Sequence, residues 1–204
     1  MNALTELEAV NLMLSMIGEA PVNTVDGSKS ADVAQARTIL TEISREVQSG
    51  GWHFNTEYQV ELTPDTVTSE IYLAPQVLRI DIEPADTRTG AAGKYVDAVQ
   101  RGNRLYDREN KTYEFTQTVK ATVVYGLDWD IVPQPAKQYI AVRAGRVFCD
   151  RMVVSADLHR VHQLQEVQAL VSFRNWEAEM ADHTIFDNFD VYRIINRQGQ
   201  PNSV

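Results

Sequence analysis

Residues 49–62 read Ser-Gly-Gly-Trp-His-Phe-Asn-Thr-Glu-Tyr-Gln-Val-Glu-Leu, and the period of the chain changes at the two glycines. Upstream, Val33, Ala36, Leu40, Ile43 and Val47 recur at spacings of three and four and form one helical stripe. Downstream the period drops to two. Trp52, Phe54, Thr56, Tyr58, Val60 and Leu62 point one way, and His53, Asn55, Glu57, Gln59 and Glu61 the other. Gly50-Gly51 supplies the left-handed or extended backbone that ends a helix at low steric cost. The stretch predicts a helix passing directly into a strand with one buried face, stopped at Pro64-Asp65. His53 falls on the polar face with no nucleophile beside it, so it reads as a solvated strand residue.

Toward the N-terminus, Thr5-Glu6-Leu7-Glu8 has the capping-box form, and Leu7, Val10, Leu14 and Ile17 follow at helical spacing. Gly18 and Pro21 end this first helix, about Thr5 to Ile17, and the second starts near Ser30 or Ala31. Beyond residue 62 come short strands. Leu78, Ile80 and Ile82 alternate with Arg79 and Asp81; residues 95–100 and 104–107 flank the turn Arg101-Gly102-Asn103; Val119, Ala121, Val123 and Tyr125 form the last strand. Pro135 suits the first turn of a third helix, with Ile140, Ala144, Val147 and Phe148 inward and an end near Val153. Asp157 is expected to cap a fourth, running to about Ala181 with Leu158, Val161, Leu164, Leu170 and Val171. The fold class expected is α+β: a four-helix bundle built from both chain ends (1–51 and 127–183, one discontinuous domain), an inserted antiparallel β subdomain (52–126) and a C-terminal arm (184–204).

The chain has 204 residues, enough for a sizeable core. Its net charge of −9 argues against gripping nucleic acid, which needs clustered Lys and Arg. The one cysteine, Cys149, excludes an internal disulfide framework and fits a reducing compartment. The start lacks the basic and apolar regions of a signal peptide, and no apolar run approaches membrane-spanning length, so a soluble, intracellularly made protein is expected.

Motifs that could carry chemistry are weak. His159 and His162 stand three apart on one helix, close enough to share a metal, but no HExxH pattern accompanies them. Asp128-Trp129-Asp130 offers two carboxylates of the kind glycoside hydrolysis uses, yet adjacent acids before a helix ordinarily serve turns and caps. Gly90-Ala91-Ala92-Gly93-Lys94-Tyr95 has two residues between its glycines where a phosphate loop has four, and Tyr95 in place of Ser or Thr. Cys149 reads as a small buried hydrophobe. No catalytic, cofactor-binding or metal-binding residue is assigned, and no cofactor is expected. Arg143, Arg146 and Arg151 lie among apolar residues of the third helix, as surface charges or as subunit contacts.

Several blocks resemble the tail tubular protein A family of short-tailed bacteriophages. They are Ile17-Gly18-Glu19-Ala20-Pro21-Val22, residues 34–40, residues 47–55, Asp128-Trp129-Asp130 through Pro133, Tyr139-Ile140 with residues 143–151, and residues 188–197, NFDVYRIINR. The β insert matches only loosely. The resemblance implies a structural virion protein, a dodecameric adaptor ring joining the portal protein to the tail nozzle (tail tubular protein B). Tail fibres attach near that junction in several such phages, and genomic DNA passes through without specific binding. It further implies a place in the virion tail, assembly in the host cytoplasm and no membrane partner. An acidic subunit agrees with a conduit that must not hold DNA. Two other readings stay open, a virion-associated polysaccharide or cell-wall hydrolase and a non-viral protein-interaction module. In the arm, Ile185, Phe186, Phe189, Val191, Tyr192, Ile194 and Ile195 are apolar and interrupted by acids. Such an arm either folds back on its own bundle or reaches a neighbouring subunit or ring, and contact with a neighbour is the outcome expected. The interface residues expected are thus Arg143, Arg146, Arg151, Ile185, Phe186, Phe189, Tyr192, Ile194 and Ile195.

Overall fold

The computed structural model describes residues 3–26, 30–82 and 96–180. Among the described residues, four α-helices, α1 (Glu6–Met16), α2 (Ala31–Ser49), α3 (Gln134–Met152) and α4 (Ala156–Met180), accompany five strands. The strands are β1 (Thr56–Leu62), β2 (Val77–Ile82), β3 (Ala98–Arg101), β4 (Arg104–Asp107) and β5 (Val119–Tyr125). The class is α+β. α1 begins as its sequence dictates: the Glu8 N–H donates to Thr5 Oγ1 at 3.2 Å, and the Thr5 N–H donates to Glu8 Oε2 at 2.8 Å.

α3 touches α1, α2 and α4, so residues far apart in sequence share one core. Val10, Met13 and Leu14 meet Val33, Ala36, Leu40 and Ile43, and Ile140, Ala144 and Phe148 close the cluster. At Gly145 a Cβ would run into Met16 Sδ, so α1 and α3 approach closely there. In the antiparallel sheet β5 is central, in the order β1-β5-β2, with Leu62 opposite Val119 and Ile82 opposite Ala121. β3 and β4 form a hairpin whose two-residue turn places Gly102 at φ +63°. Ile71, Leu73, Ala98, Leu105, Phe115 and Val119 make a second, smaller buried cluster.

Two expectations fail. The strand does not start at Trp52: residues His53–Asn55 form a 3₁₀ turn, and β1 begins at Thr56. Gly50 is still helical, and only Gly51 is left-handed, at φ +76°. A bulge between Glu57 and Val60, with Gln59 at φ 56°, then breaks the alternation. Tyr58 is consequently 67% exposed, whereas Asn55, read as solvated, is buried. Trp52 and Phe54 pack against the helical cluster. The second failure is on α4. Ser155, not Asp157, precedes its first turn, its carbonyl accepting the His159 N–H at 3.0 Å. Val161, Leu164 and Val171 are exposed, because α4 packs against α3 and the 3₁₀ turn with the face that carries His162 and Phe173.

Candidate assembly surfaces

The junction at residues 48–55 ties the helices to the sheet. Gln48 and Asn55 are buried polar side chains with their groups satisfied. Gln48 Nε2 donates to the Leu127 carbonyl at 3.1 Å, while the Leu127 N–H donates to Gln48 Oε1 at 2.7 Å. Asn55 Nδ2 donates to the carbonyls of Gln48 (2.9 Å) and Tyr125 (2.7 Å), and its Oδ1 accepts the Trp52 N–H. The end of α2 is thus held against the exit of β5. Gly51 allows this approach: a Cβ there would lie 2.8 Å from Arg79 Nη2 and 3.1 Å from Val124 Cγ2.

Phe173 of α4 closes the junction from the other side. Its ring lies 4.5 Å from that of Trp52 and 5.7 Å, stacked, from that of Tyr139, with Phe54 and Trp176 completing the group. Glu177 accepts the His53 N–H. Sequence reasoning missed Phe173 and Trp176, although two aromatics three apart mark the inward face of a helix. Gln48 and Asn55 gave no such sign, since polar residues near a helix end usually face water.

Arg143, Arg146 and Arg151 all form ion pairs within the chain. Arg143 donates to Glu46 of α2 at 2.6 Å and to Glu166 of α4 at 3.3 Å, with Tyr139 Oη accepting at 3.0 Å. Arg146 pairs with Glu166 and, at 2.8 Å, with Asp150. Asp150 lies 3.0 Å from His159 Nδ1, and Arg151 holds Glu42 through both terminal nitrogens. The network crosses α2, α3 and α4. Ile185, Phe186, Phe189, Tyr192, Ile194 and Ile195 lie outside the described residues, as do Gly90 to Tyr95.

Among the described residues weighed for chemistry, the two histidines take separate partners. His159 meets Asp150, whereas His162 is buried with Nδ1 3.2 Å from Gln165 Oε1. Asp128 lines an open groove of about 680 Å³ with Glu6, Arg45, Gln48 and Trp129, and Asp130 is not part of that lining. Both aspartates are exposed. Among the described residues there is no group of three or more His, Cys, Asp or Glu able to hold a metal ion. Cys149 is buried, and burial, with Asp150 beside it, pushes its thiol pKa up. No described helix is long and apolar enough to cross a membrane.

The family model for tail tubular protein matches residues 7–183. Tail tubular protein A of Klebsiella phage KP34 is 30% identical over 136 residues, 67% of either chain. The match runs from the start of α1 beyond the end of α4, through the junction and the ion-pair network. The chain therefore belongs to the tail tubular protein family, structural proteins of phage tails.

Proposed function

We propose that the protein is a non-enzymatic adaptor of the virion tail, assembled in many copies in the host cytoplasm. In this reading a dodecameric ring joins the portal protein to the tail nozzle, lets genomic DNA pass, and helps to anchor tail fibres. The observation that carries it is the family match over residues 7–183. Two features of the chain support it. The net charge of −9 suits a wall that repels phosphate, and an apolar outer face on α4 suits contact between copies.

The architecture follows the same reading, with the four helices as one bundle from both chain ends, residues 52–126 as its insert and 184–204 as an arm. The arm residues Ile185, Phe186, Phe189, Tyr192, Ile194 and Ile195 are assigned to neighbours. Arg143, Arg146 and Arg151 are assigned to holding α2, α3 and α4 together, as their intrachain pairs suggest. Asp128 and Asp130 have no catalytic role. Electron microscopy of the purified chain mixed with portal-bearing heads tests the reading. Rings seated on the portal are the expected result, and a well-folded chain that never joins the portal would overturn it.

A further inference from the structure

Along its outer face α4 carries a continuous apolar stripe. Val161, Leu164, Val167 and Val171 are 53, 66, 52 and 52% exposed. Their spacing keeps them on one side of the helix over roughly 15 Å of its axis. The opposite face is taken by α3 and the 3₁₀ turn, and among the described residues nothing covers the stripe. Soluble monomers rarely keep such a patch bare.

The chain itself supplies matching chemistry. Residues 181–204 follow the last described residue of α4 and begin with Ile185, Phe186, Phe189 and Tyr192 among Asp182, Asp187 and Asp190, with no Lys or Arg before Arg193. The only two arginines of α4, Arg160 and Arg174, are exposed and stand one at each end of the stripe, Arg160 also lying 3.4 Å from Asp157. Apolar side chains flanked by acids thus meet an apolar stripe flanked by arginines, in a protein whose net charge otherwise makes copies repel.

We infer that residues 185–192 of one copy dock on the α4 stripe of a neighbouring copy. The inference rests on the many-copy reading above. A neighbour is favoured over the same helix because residues 181–184, Ala-Asp-His-Thr, lack the glycine that most readily takes the left-handed conformation by which a chain turns back at a helix end. An arm that reaches onward makes a head-to-tail contact, the kind that closes a ring.

Cysteine cross-linking of the full chain tests this, since the native thiol of Cys149 is buried. Leu164→Cys and Phe189→Cys are prepared as single variants of different tag mass, assembled together and oxidised, with particle size followed in parallel. The mixed dimer should form at least about tenfold more than either variant's self-dimer, as docking raises the local thiol concentration toward millimolar. Two results overturn the inference alone: many-copy particles without the mixed dimer, or an internally cross-linked monomer when a further variant carrying both Leu164→Cys and Phe189→Cys is oxidised. If neither variant nor the unaltered chain forms particles or joins portal-bearing heads, the adaptor reading falls with it.

Discussion

Of the 19 residues of α3 ten are buried, whereas of the 25 of α4 only two are, His162 and Phe173. The two helices pack against each other, so the difference lies in their other sides. α3 is enclosed by α1, α2 and α4. Among the described residues, α4 has α3 and the 3₁₀ turn on one face, and nothing over the exposed side chains of Val161, Leu164, Val167 and Val171. Apolar content in a helix therefore reports two separate demands, one from the fold and one from whatever meets its free face. On α4 the fold is served by a few large contacts, and the stripe is available for assembly.

The sharpest way to break that division is Phe173→Ala. Phe173 is fully buried in the aromatic group at the junction, so its truncation should cost about 3–5 kcal/mol. Urea unfolding measures this directly, and a loss near zero would mean that α4 is not anchored where described. Next comes Gly51→Ala. The left-handed backbone and the crowding by Arg79 and Val124 together should cost about 2 kcal/mol. Glu166→Gln, which removes the charge between Arg143 and Arg146, should cost roughly 1–3 kcal/mol and couple to Glu46→Gln in a double-mutant cycle. Additivity of the two would argue that the network is not a unit.

A smaller effect is expected at the start of α1. The Thr5 N–H, and then its hydroxyl, hold the Glu8 carboxyl below its usual pKa. A carboxyl depressed by folding stabilises the protein above its unfolded pKa, and that contribution is lost as pH falls through the folded value. The melting-point gap between the unaltered chain and Glu8→Gln should therefore narrow below the ordinary glutamate range. A gap independent of pH would show that the capping carboxylate is not the cause.

Much of this was legible in the residues. The capping box of Thr5 and Glu8, the α2 stripe, the hairpin turn at Gly102 and the α3 stripe all stand where periodicity and turn chemistry put them, because each is decided locally. The junction was not, for a physical reason. Residues 52–62 alternate by type, but a 3₁₀ turn and a bulge each shift the pleat, so Trp52 and Phe54 go to the helices and Tyr58 to water. Which aliphatics of α4 face inward depends on where α3 lies, and spacing alone left Leu158 and Val161 equivalent. The arginine pairs were similarly hidden, since Arg143 finds Glu46 and Glu166 only after three helices have met.

The division between the two faces of α4 is tested most directly by Leu164→Asp in the full chain, with thermal melting and sedimentation velocity run on the same sample in the presence of portal-bearing heads. Leu164 is 66% exposed, so the melt should shift by no more than about 0.5 kcal/mol while ring formation and attachment are lost. A melt that falls as far as that of Phe173→Ala, or rings that form as in the unaltered chain, would contradict the assignment of that face to assembly.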